Sequence, residues 1–265
     1  MTEEMAVRVA GLYCSYGWQY VLRDIHFEVR PGNIAVLIGS NGVGKSTLLS
    51  TLGGALSPTR GEVSVFGNRR RVGVEEESAA RGRTMYLPER SFLPGDTMVT
   101  DFLGAVSELF EIPRAVAIDR IDSLLKLFTM QGMGTRFIKS LSTGQAKKVS
   151  LCAALLADRP LLLLDEPFGG GLDPQGILAL RQVLQHRVRE RGQTIILTTP
   201  VAEIVSELAD QLLILRDEHL AENLTRAELL ERMPGGQFCQ DGINELVFPE
   251  ARENVRAYLD SQEVH

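Results

Sequence analysis

The stretch IAVLIGSNGVGKST, residues 34–47, decides the fold class of this chain. Its opening segment, IAVLI (34–38), is wholly apolar and predicts a buried β-strand. The segment GSNGVGKST (39–47) matches the pattern GxxxxGK[ST], whose glycines let backbone N–H groups turn toward an anion. Residues 45–56 predict a helix, so the turn lies at a helix N-terminus, where the dipole favours negative charge. The sequence therefore predicts a phosphate-binding loop between a strand and a helix.

All residues of this loop are predicted to contribute to phosphate binding. They are Gly39, Ser40, Asn41, Gly42, Val43, Gly44, Lys45, Ser46 and Thr47. We expect Lys45 to reach the β- and γ-phosphates and the Ser46 hydroxyl to ligate Mg²⁺. The alternative is a glycine turn with an exposed lysine, and such a pattern arises by chance in roughly 1% of chains this size. The strand and helix around it favour phosphate binding.

A second apolar segment, LLLLDEP (161–167), ends in two acidic residues. A parallel strand here would place Asp165 beside the phosphate loop, where a carboxylate can hold Mg²⁺ through its water shell. Glu166 is then the candidate catalytic residue, a general base that polarises the attacking water. In isolation an ordinary acidic turn would be the better interpretation, but the phosphate loop upstream favours the catalytic one.

Short strands alternate with helical stretches along the rest of the chain. Residues 5–38 alternate apolar and polar positions and predict a small antiparallel sheet, and GEVSVFG (61–67) and TIILT (194–198) predict further strands. Residues 100–130 have helical spacing. One face of that segment is predicted to carry Phe102, Leu103, Val106, Leu109 and Phe110. The predicted fold is α/β: a mostly parallel sheet flanked by helices, with a small N-terminal antiparallel β subdomain and an inserted α-helical subdomain.

Composition excludes several functional classes. The 265 residues carry a net charge of −6, so we expect no nucleic-acid partner. No apolar run approaches the roughly 20 residues that cross a bilayer, and MTEEMAVRVA lacks the pattern of a signal peptide. Cys14, Cys152 and Cys239 have no metal-ligand spacing and are expected to be reduced thiols. We therefore expect a cytoplasmic chain that reaches a membrane only through a partner.

The segment LSTGQ (141–145) stands before an amphipathic stretch and upstream of LLLLDEP. With the phosphate loop and the carboxylate pair, it resembles the ABC ATPase family of P-loop NTPases, in which LSTGQ matches the signature segment. Thr143 stands where that segment usually has glycine. The resemblance runs from about residue 5 to 232. It includes Tyr16, which matches the aromatic residue that stacks on adenine, and GLDPQG (171–176), the loop after the catalytic acid.

The resemblance implies ATP and Mg²⁺ as cofactors and a second ATPase chain as a partner. In this family two chains bind head to tail with ATP between them, and the signature segment contacts the ATP of the partner chain. The residues concerned here are Ser142, Thr143, Gly144 and Gln145. Ser142 lies at a predicted helix start, where a hydroxyl, free amides and the helix dipole suit an anion. A simple N-cap role is compatible with that contact.

Two positions depart from the family pattern. After the strand TIILTT the family has a histidine that contacts the γ-phosphate, and this chain has Pro200. In MYLPER (85–90) the position of the family's glutamine, which touches Mg²⁺ and senses the membrane partner, is Glu89. A carboxylate can still accept from metal-bound water, so Glu89 joins Ser46 and Asp165 as a metal candidate. Because proline has no side-chain donor, we expect ATP binding with slow hydrolysis.

The resemblance implies an ATP-binding and ATP-hydrolysing subunit that powers transport through a separate integral-membrane permease. We expect an exporter, peripheral on the inner face of the cell membrane. The alternatives are a soluble ABC ATPase of a cytosolic assembly complex, of the iron–sulfur-cluster type, and a nucleotide-binding subunit that hardly turns over. The competing classes differ in whether a permease recruits the chain to membranes.

The expected domain organisation is an ABC ATPase domain over residues 1–232 and an accessory tail over 233–265. The helical subdomain is expected over about 89–140, with a groove near Glu89 that accepts a permease helix. LTRAELLERM (224–233) predicts a helix capped by Thr225. The tail is expected to contain a short amphipathic helix near the dimer or permease surface.

Overall fold

Two β-sheets carry the fold in the computed structural model, which describes residues 4–247 and Tyr258. In chain order the strands are β1 (Val7–Tyr16), β2 (Gln19–Val29), β3 (Ile34–Ile38), β4 (Arg60–Val65), β5 (Asn68–Arg69), β6 (Thr84–Leu87), β7 (Leu161–Leu164), β8 (Thr194–Thr198), β9 (Gln211–Arg216) and β10 (His219–Thr225). The helices are α1 (Lys45–Leu52), α2 (Val74–Gly82), α3 (Val99–Leu109), α4 (Arg114–Leu127), α5 (Thr143–Leu156), α6 (Pro174–Arg191), α7 (Ala202–Leu208), α8 (Arg226–Glu231) and α9 (Gln240–Val247). Among the described residues, none of the helices is both long and apolar enough to span a bilayer.

The smaller sheet is antiparallel, with strand order β2-β1-β4-β5. The larger sheet has the order β10-β9-β3-β8-β7-β6, and only β10 pairs antiparallel to its neighbour. The α/β fold predicted from the sequence, with its small antiparallel sheet, is therefore confirmed.

Alternate residues of β3 enter two different cores, because successive side chains of a strand point to opposite faces. Ile34, Val36 and Ile38 belong to the larger core, which the helices cover. Ala35 and Leu37 belong to the core shared with the antiparallel sheet. Burial on both faces explains why this strand reads as a continuous apolar run.

Four neighbouring parallel strands end at one edge of the larger sheet, which we name the carboxyl edge. β8 lies between β3 and β7, and β6 is the outer strand beside β7. The phosphate loop follows β3, Pro200 follows β8, Asp165 follows β7 and Glu89 follows β6. The topology therefore brings together side chains that are far apart in the sequence.

The helical region packs through α3, α4 and α5. Leu103 is fully buried there, but the prediction that Leu109 shares its face is wrong, since Leu109 is 76% exposed. Ser107, four residues after Leu103, is buried on this face, and the predicted Phe102 and Val106 are partly buried against the same core. The limits of about 89–140 for a separate helical subdomain stay a prediction.

Of two helices predicted from the sequence, α1 is shorter than expected and α8 begins at the expected residue. α1 ends at Leu52, not at residue 56, because Gly54 takes a left-handed conformation with φ 77°. α8 begins at the predicted cap: the Thr225 hydroxyl accepts from the amide of Glu228 at 3.4 Å, and the Glu228 carboxylate accepts from the amide of Thr225 at 2.8 Å.

The tail contributes a helix that packs on the ATPase core. Ile243 and Val247 of α9 are buried in the same core as Ile38 of β3. The guanidinium of Arg216 donates to the carbonyl of Leu246 at 2.9 Å and fixes the end of α9. The predicted amphipathic stretch runs on to residue 259, and apart from Tyr258 its remainder lies outside the described residues. The division at residue 232 stays a prediction.

Candidate functional site

The phosphate loop owes its shape to glycines that no other residue could replace without a clash. Gly39 has φ 155°, and a Cβ atom there would lie 2.4 Å from the carbonyl oxygen of Leu215. Gly44 has φ 110°, and its Cβ would lie 2.8 Å from a methyl group of Leu22. The backbone can therefore pass close to its neighbours and present its amides at the start of α1, as phosphate binding requires.

Lys45 is buried within this loop and carries the only side-chain charge of residues 39–47. Its ammonium donates to the carbonyl oxygens of Gly39 and Ser40, both at 3.0 Å. Burial lowers the pKa of Lys45, and the carboxylates of Glu166, Asp165 and Glu89 oppose this shift. The lysine thus lies within electrostatic reach of the carboxylates, as the sequence predicted for a shared site.

Asp165 and Glu166 are held in place by Thr198 at the end of the neighbouring strand β8. The Thr198 hydroxyl donates to a carboxylate oxygen of Asp165 at 2.7 Å and accepts from the amide of Glu166 at 2.7 Å. Glu166 has φ 44°, a left-handed conformation that costs a non-glycine residue about 1–2 kcal/mol. The bond to the Glu166 amide opposes that cost, so Thr198 orients the backbone of the candidate base. The sequence analysis did not identify Thr198, whose signal is a polar residue ending an apolar strand.

Replacing Thr198 with valine is expected to lower the free energy of unfolding by about 1–3 kcal/mol, because a buried carboxylate loses its hydroxyl donor. ATP turnover is expected to fall about tenfold or more, since Glu166 loses its orientation. Thr194→Val is the matched control: Thr194 lies at the opposite end of β8, is buried and accepts from the amide of Gly32 at 3.0 Å. Melting curves and steady-state ATPase rates compare the two. Equal turnover in both variants would show that Thr198 has a structural role only.

The turn after Glu166 is joined to the signature helix α5. A Cβ atom on Gly144 would lie 2.4 Å from the carbonyl oxygen of Gly171, so glycine is required at this position of the signature segment. Lys148 donates to the carboxylate of Asp173 at 2.8 Å, and this pair lowers the pKa of Asp173. The signature segment and the turn after Glu166 are therefore packed against each other.

The start of α5 is an exposed helix N-terminus with a capping box. The Ser142 hydroxyl accepts from the amide of Gln145 at 3.3 Å, and the Gln145 side-chain oxygen accepts from the amide of Ser142 at 3.0 Å. Ser142 and Thr143 are exposed at the helix N-terminus. The capping role weighed in the sequence analysis is thus present.

Tyr16 lies at the end of β1 with its hydroxyl 3.4 Å from the hydroxyl of Thr47, the last residue of the phosphate loop. Its side chain is 58% exposed, so a ring face is open to a base. Trp18, the single tryptophan of the chain, is fully exposed two residues further on. Its fluorescence therefore provides a local probe for nucleotide binding.

Lys147 is a further charged residue at the carboxyl edge that the sequence analysis missed. Its ammonium donates to the backbone oxygen of Glu89 at 3.3 Å, and the side chain is buried. Burial lowers the pKa of Lys147, while the carboxylates of Glu89, Asp165 and Glu166 act in the opposite direction. The available signal was a lysine pair, Lys147 and Lys148, on a helix whose following residues 149–156 are all apolar or small.

Pro200 follows β8 between the phosphate loop and the carboxylate pair, with an exposed ring. A narrow cavity beside it is also lined by Gly39 and by Ile243 and Val247 of α9. The structure thus brings Gly39, Pro200 and the tail helix to one place, which no local sequence pattern indicated.

The comparison with known proteins is consistent with this geometry. The family model for "ABC transporter" matches residues 22–169, more than half of the chain. A solved structure of an ATP binding subunit of an ABC transporter is 30% identical, with a TM-score of 0.78, and the match covers 85% of this chain and 92% of that one.

Two curated relatives have the same level of identity. The Nod factor export ATP-binding protein I of Bradyrhizobium diazoefficiens is 30% identical, over 94% of this chain and 81% of the relative. YkoD of Bacillus subtilis, named provisionally as an HMP/thiamine import ATP-binding protein, is 30% identical over 88% of this chain. The chain spans only 41% of the length of YkoD. Together with the phosphate loop and the carboxylate pair, these matches show that the chain belongs to the ABC transporter family.

Proposed function

We propose that this chain binds Mg-ATP and hydrolyses it to drive transport through a separate membrane permease. The observation that carries the proposal is the carboxyl edge, where the loop of residues 39–47 lies close to Asp165, Glu166 and Glu89. Family membership supports ATP as the nucleotide. ATP hydrolysis by the purified chain, measured as phosphate release, is the direct test.

Different residues of the site are proposed to bind the phosphates, the adenine and Mg²⁺. The backbone amides of residues 39–44 and the ammonium of Lys45 meet the phosphates, and the exposed ring of Tyr16 stacks on the adenine. The hydroxyl of Ser46 and the carboxylates of Asp165 and Glu89 are hard oxygen donors, which is the donor chemistry that Mg²⁺ prefers. When bound, Mg²⁺ supplies positive charge to the β- and γ-phosphate oxygens.

Glu166 is the proposed general base for the attacking water. The Thr198 hydroxyl accepts from the backbone amide of Glu166. The Glu166 side chain is half-buried at the carboxyl edge, beside the phosphate loop. Pro200 offers no donor to charge that develops on the γ-phosphate, so turnover by the isolated chain is proposed to be slow. Substrate binding does not need that donor and is proposed to be unaffected.

The ATP-bound form is proposed to be a head-to-tail pair of ATPase chains. Ser142, Thr143, Gly144 and Gln145 would then face the γ-phosphate held by the partner. The exposed, capped start of α5 supports this contact, because free amides and the helix dipole point toward solvent there.

Replacing Lys45 with alanine is expected to weaken ATP binding at least about tenfold, because charge-assisted bonds worth about 1.5–3 kcal/mol each are lost. The change can be followed by titration of Trp18 fluorescence or of a fluorescent ATP analogue. Lys139→Ala is the control, since this lysine is exposed and pairs with Asp96 on the helical side of the molecule. Unchanged affinity in Lys45→Ala would refute the phosphate-loop assignment.

The proposed permease docks beside Glu89, within the predicted helical subdomain of about residues 89–140. Phe92, three residues further on, is 91% exposed and offers an apolar contact there. Export is the proposed direction, which is the direction in the name of the Bradyrhizobium relative, whereas the name of YkoD gives import. Membrane fractionation tests the partner: recruitment only when a permease is co-expressed supports the proposal, and a soluble complex without it favours the assembly ATPase.

A further inference from the structure

Lys147 connects two parts of the molecule that the proposed function assigns to different ATP molecules. It lies on α5, whose first residues follow Ser142 and are proposed to face the ATP held by the partner chain. Its ammonium, however, bonds the backbone oxygen of Glu89 on this chain's own carboxyl edge, at 3.3 Å. The side chain thus runs from the signature helix to the segment that follows β6.

The aliphatic part of Lys147 also passes the turn that follows Glu166. A Cβ atom added to Gly170 would lie 3.7 Å from the Cδ atom of Lys147, which is ordinary van der Waals contact. The side chain of Lys147 therefore packs directly against the turn at residue 170. A movement of α5 would be transmitted through this side chain to the turn and to the Glu89 segment.

Lys147 is a buried lysine whose ammonium is bonded to a backbone oxygen. The neighbouring Lys148 forms an ion pair with Asp173 at 2.8 Å, whereas Lys147 bonds a backbone oxygen. A buried ammonium is unfavourable unless nearby groups compensate it, and the carboxylates of Glu89, Asp165 and Glu166 do so. The lysine is thus held by the same carboxylates that are proposed to position Mg²⁺ and water.

We propose that Lys147 is a positioning residue for ATP hydrolysis, which ties the signature helix α5 to the Glu89 segment and to the catalytic carboxylates of the same chain. Like Lys45, it is a buried lysine whose electrostatic neighbours are Glu89, Asp165 and Glu166. The inference rests on the proposed function, since it concerns the same site.

The test compares Lys147→Met, which keeps the length of the side chain without its charge, with Lys147→Arg, which keeps the charge. ATP turnover is measured against ATP concentration, and nucleotide affinity is measured by Trp18 fluorescence. Lys147→Met is expected to lower kcat about tenfold or more with affinity within about twofold, because the carboxylates are misplaced while the phosphate loop is intact. Lys147→Arg is expected to recover most of the lost rate. Lys126→Met, an exposed position on α4, is the control and is expected to match the parent.

The outcomes separate this inference from the proposed function. A parent chain that neither binds nor hydrolyses ATP would refute the proposed function itself. A parent that hydrolyses ATP while Lys147→Met stays within about twofold of it would overturn only the role of Lys147, as would an arginine variant as slow as the methionine variant. A loss of affinity in proportion to the loss of rate would also overturn it. If Lys147→Met does not fold, Lys147→Gln is measured in its place against the same criteria.

Discussion

Glu166→Gln is expected to lower ATP turnover by about 10²–10⁴-fold, which is the usual contribution of a general base. Glutamine has the same shape as glutamate, and its backbone N–H still donates to the Thr198 hydroxyl. The turn and the bound nucleotide should therefore be undisturbed. Asp165 and the phosphate loop are unchanged as well. The deficit should therefore appear in kcat, with little change in the affinity for Mg-ATP.

A second readout of Glu166→Gln is the assembly state. If hydrolysis normally releases the two chains, the variant should accumulate as an ATP-bound dimer, which gel filtration with and without ATP detects. Glu190→Gln is the control, because Glu190 is exposed near the end of α6 that leads to the opposite edge of the sheet. A Glu166→Gln variant that hydrolyses ATP as fast as the parent would assign the base to another group.

Pro200→His is expected to raise turnover by at least about tenfold. A single donor aimed at transition-state charge is typically worth about 10²–10³ in rate, and proline at this position supplies none. β8 lies between β3 and β7, so an imidazole at residue 200 would lie at the carboxyl edge between the phosphate loop and the carboxylate pair. Steady-state phosphate release from the parent and the variant provides the measurement.

Pro200→Ala is the matched control for the histidine variant. It removes the ring without adding a donor, so it separates the effect of the imidazole from that of a freed backbone. Ile243 and Val247 of α9 line the cavity beside this residue, and both variants keep those neighbours. A parent that already turns over at roughly 1–10 s⁻¹, with no gain from histidine, would contradict the argument.

The parts of the site that follow from local spacing could be predicted from the sequence. The strand, glycine turn and helix around Lys45 are contiguous, and so are the strand and acids that end at Glu166. Because β3 is buried on both faces, its sequence is an unbroken apolar run, and that run predicts a parallel sheet. Such patterns depend on neighbours in the chain alone.

The remaining features depend on contacts between distant segments. Thr198 reaches Asp165 across two strands that are 33 residues apart, and Lys147 reaches Glu89 over 58 residues. Such pairs cannot be predicted from sequence spacing, because the packing of distant segments determines which residues meet. The prediction that Leu109 lies on the buried face is wrong for a related reason. Helical spacing alone did not indicate that α3 buries Ser107 and exposes Leu109.

The position of α9 has a thermodynamic consequence. The helix lies beside Gly39 and Pro200, and Arg216 anchors its end through Leu246. If docking of α9 alters the conformation of the phosphate loop, then docking and nucleotide binding are linked equilibria. Whatever factor the docked helix contributes to the affinity for nucleotide, nucleotide must contribute to the docking of the helix, because coupling free energies are reciprocal.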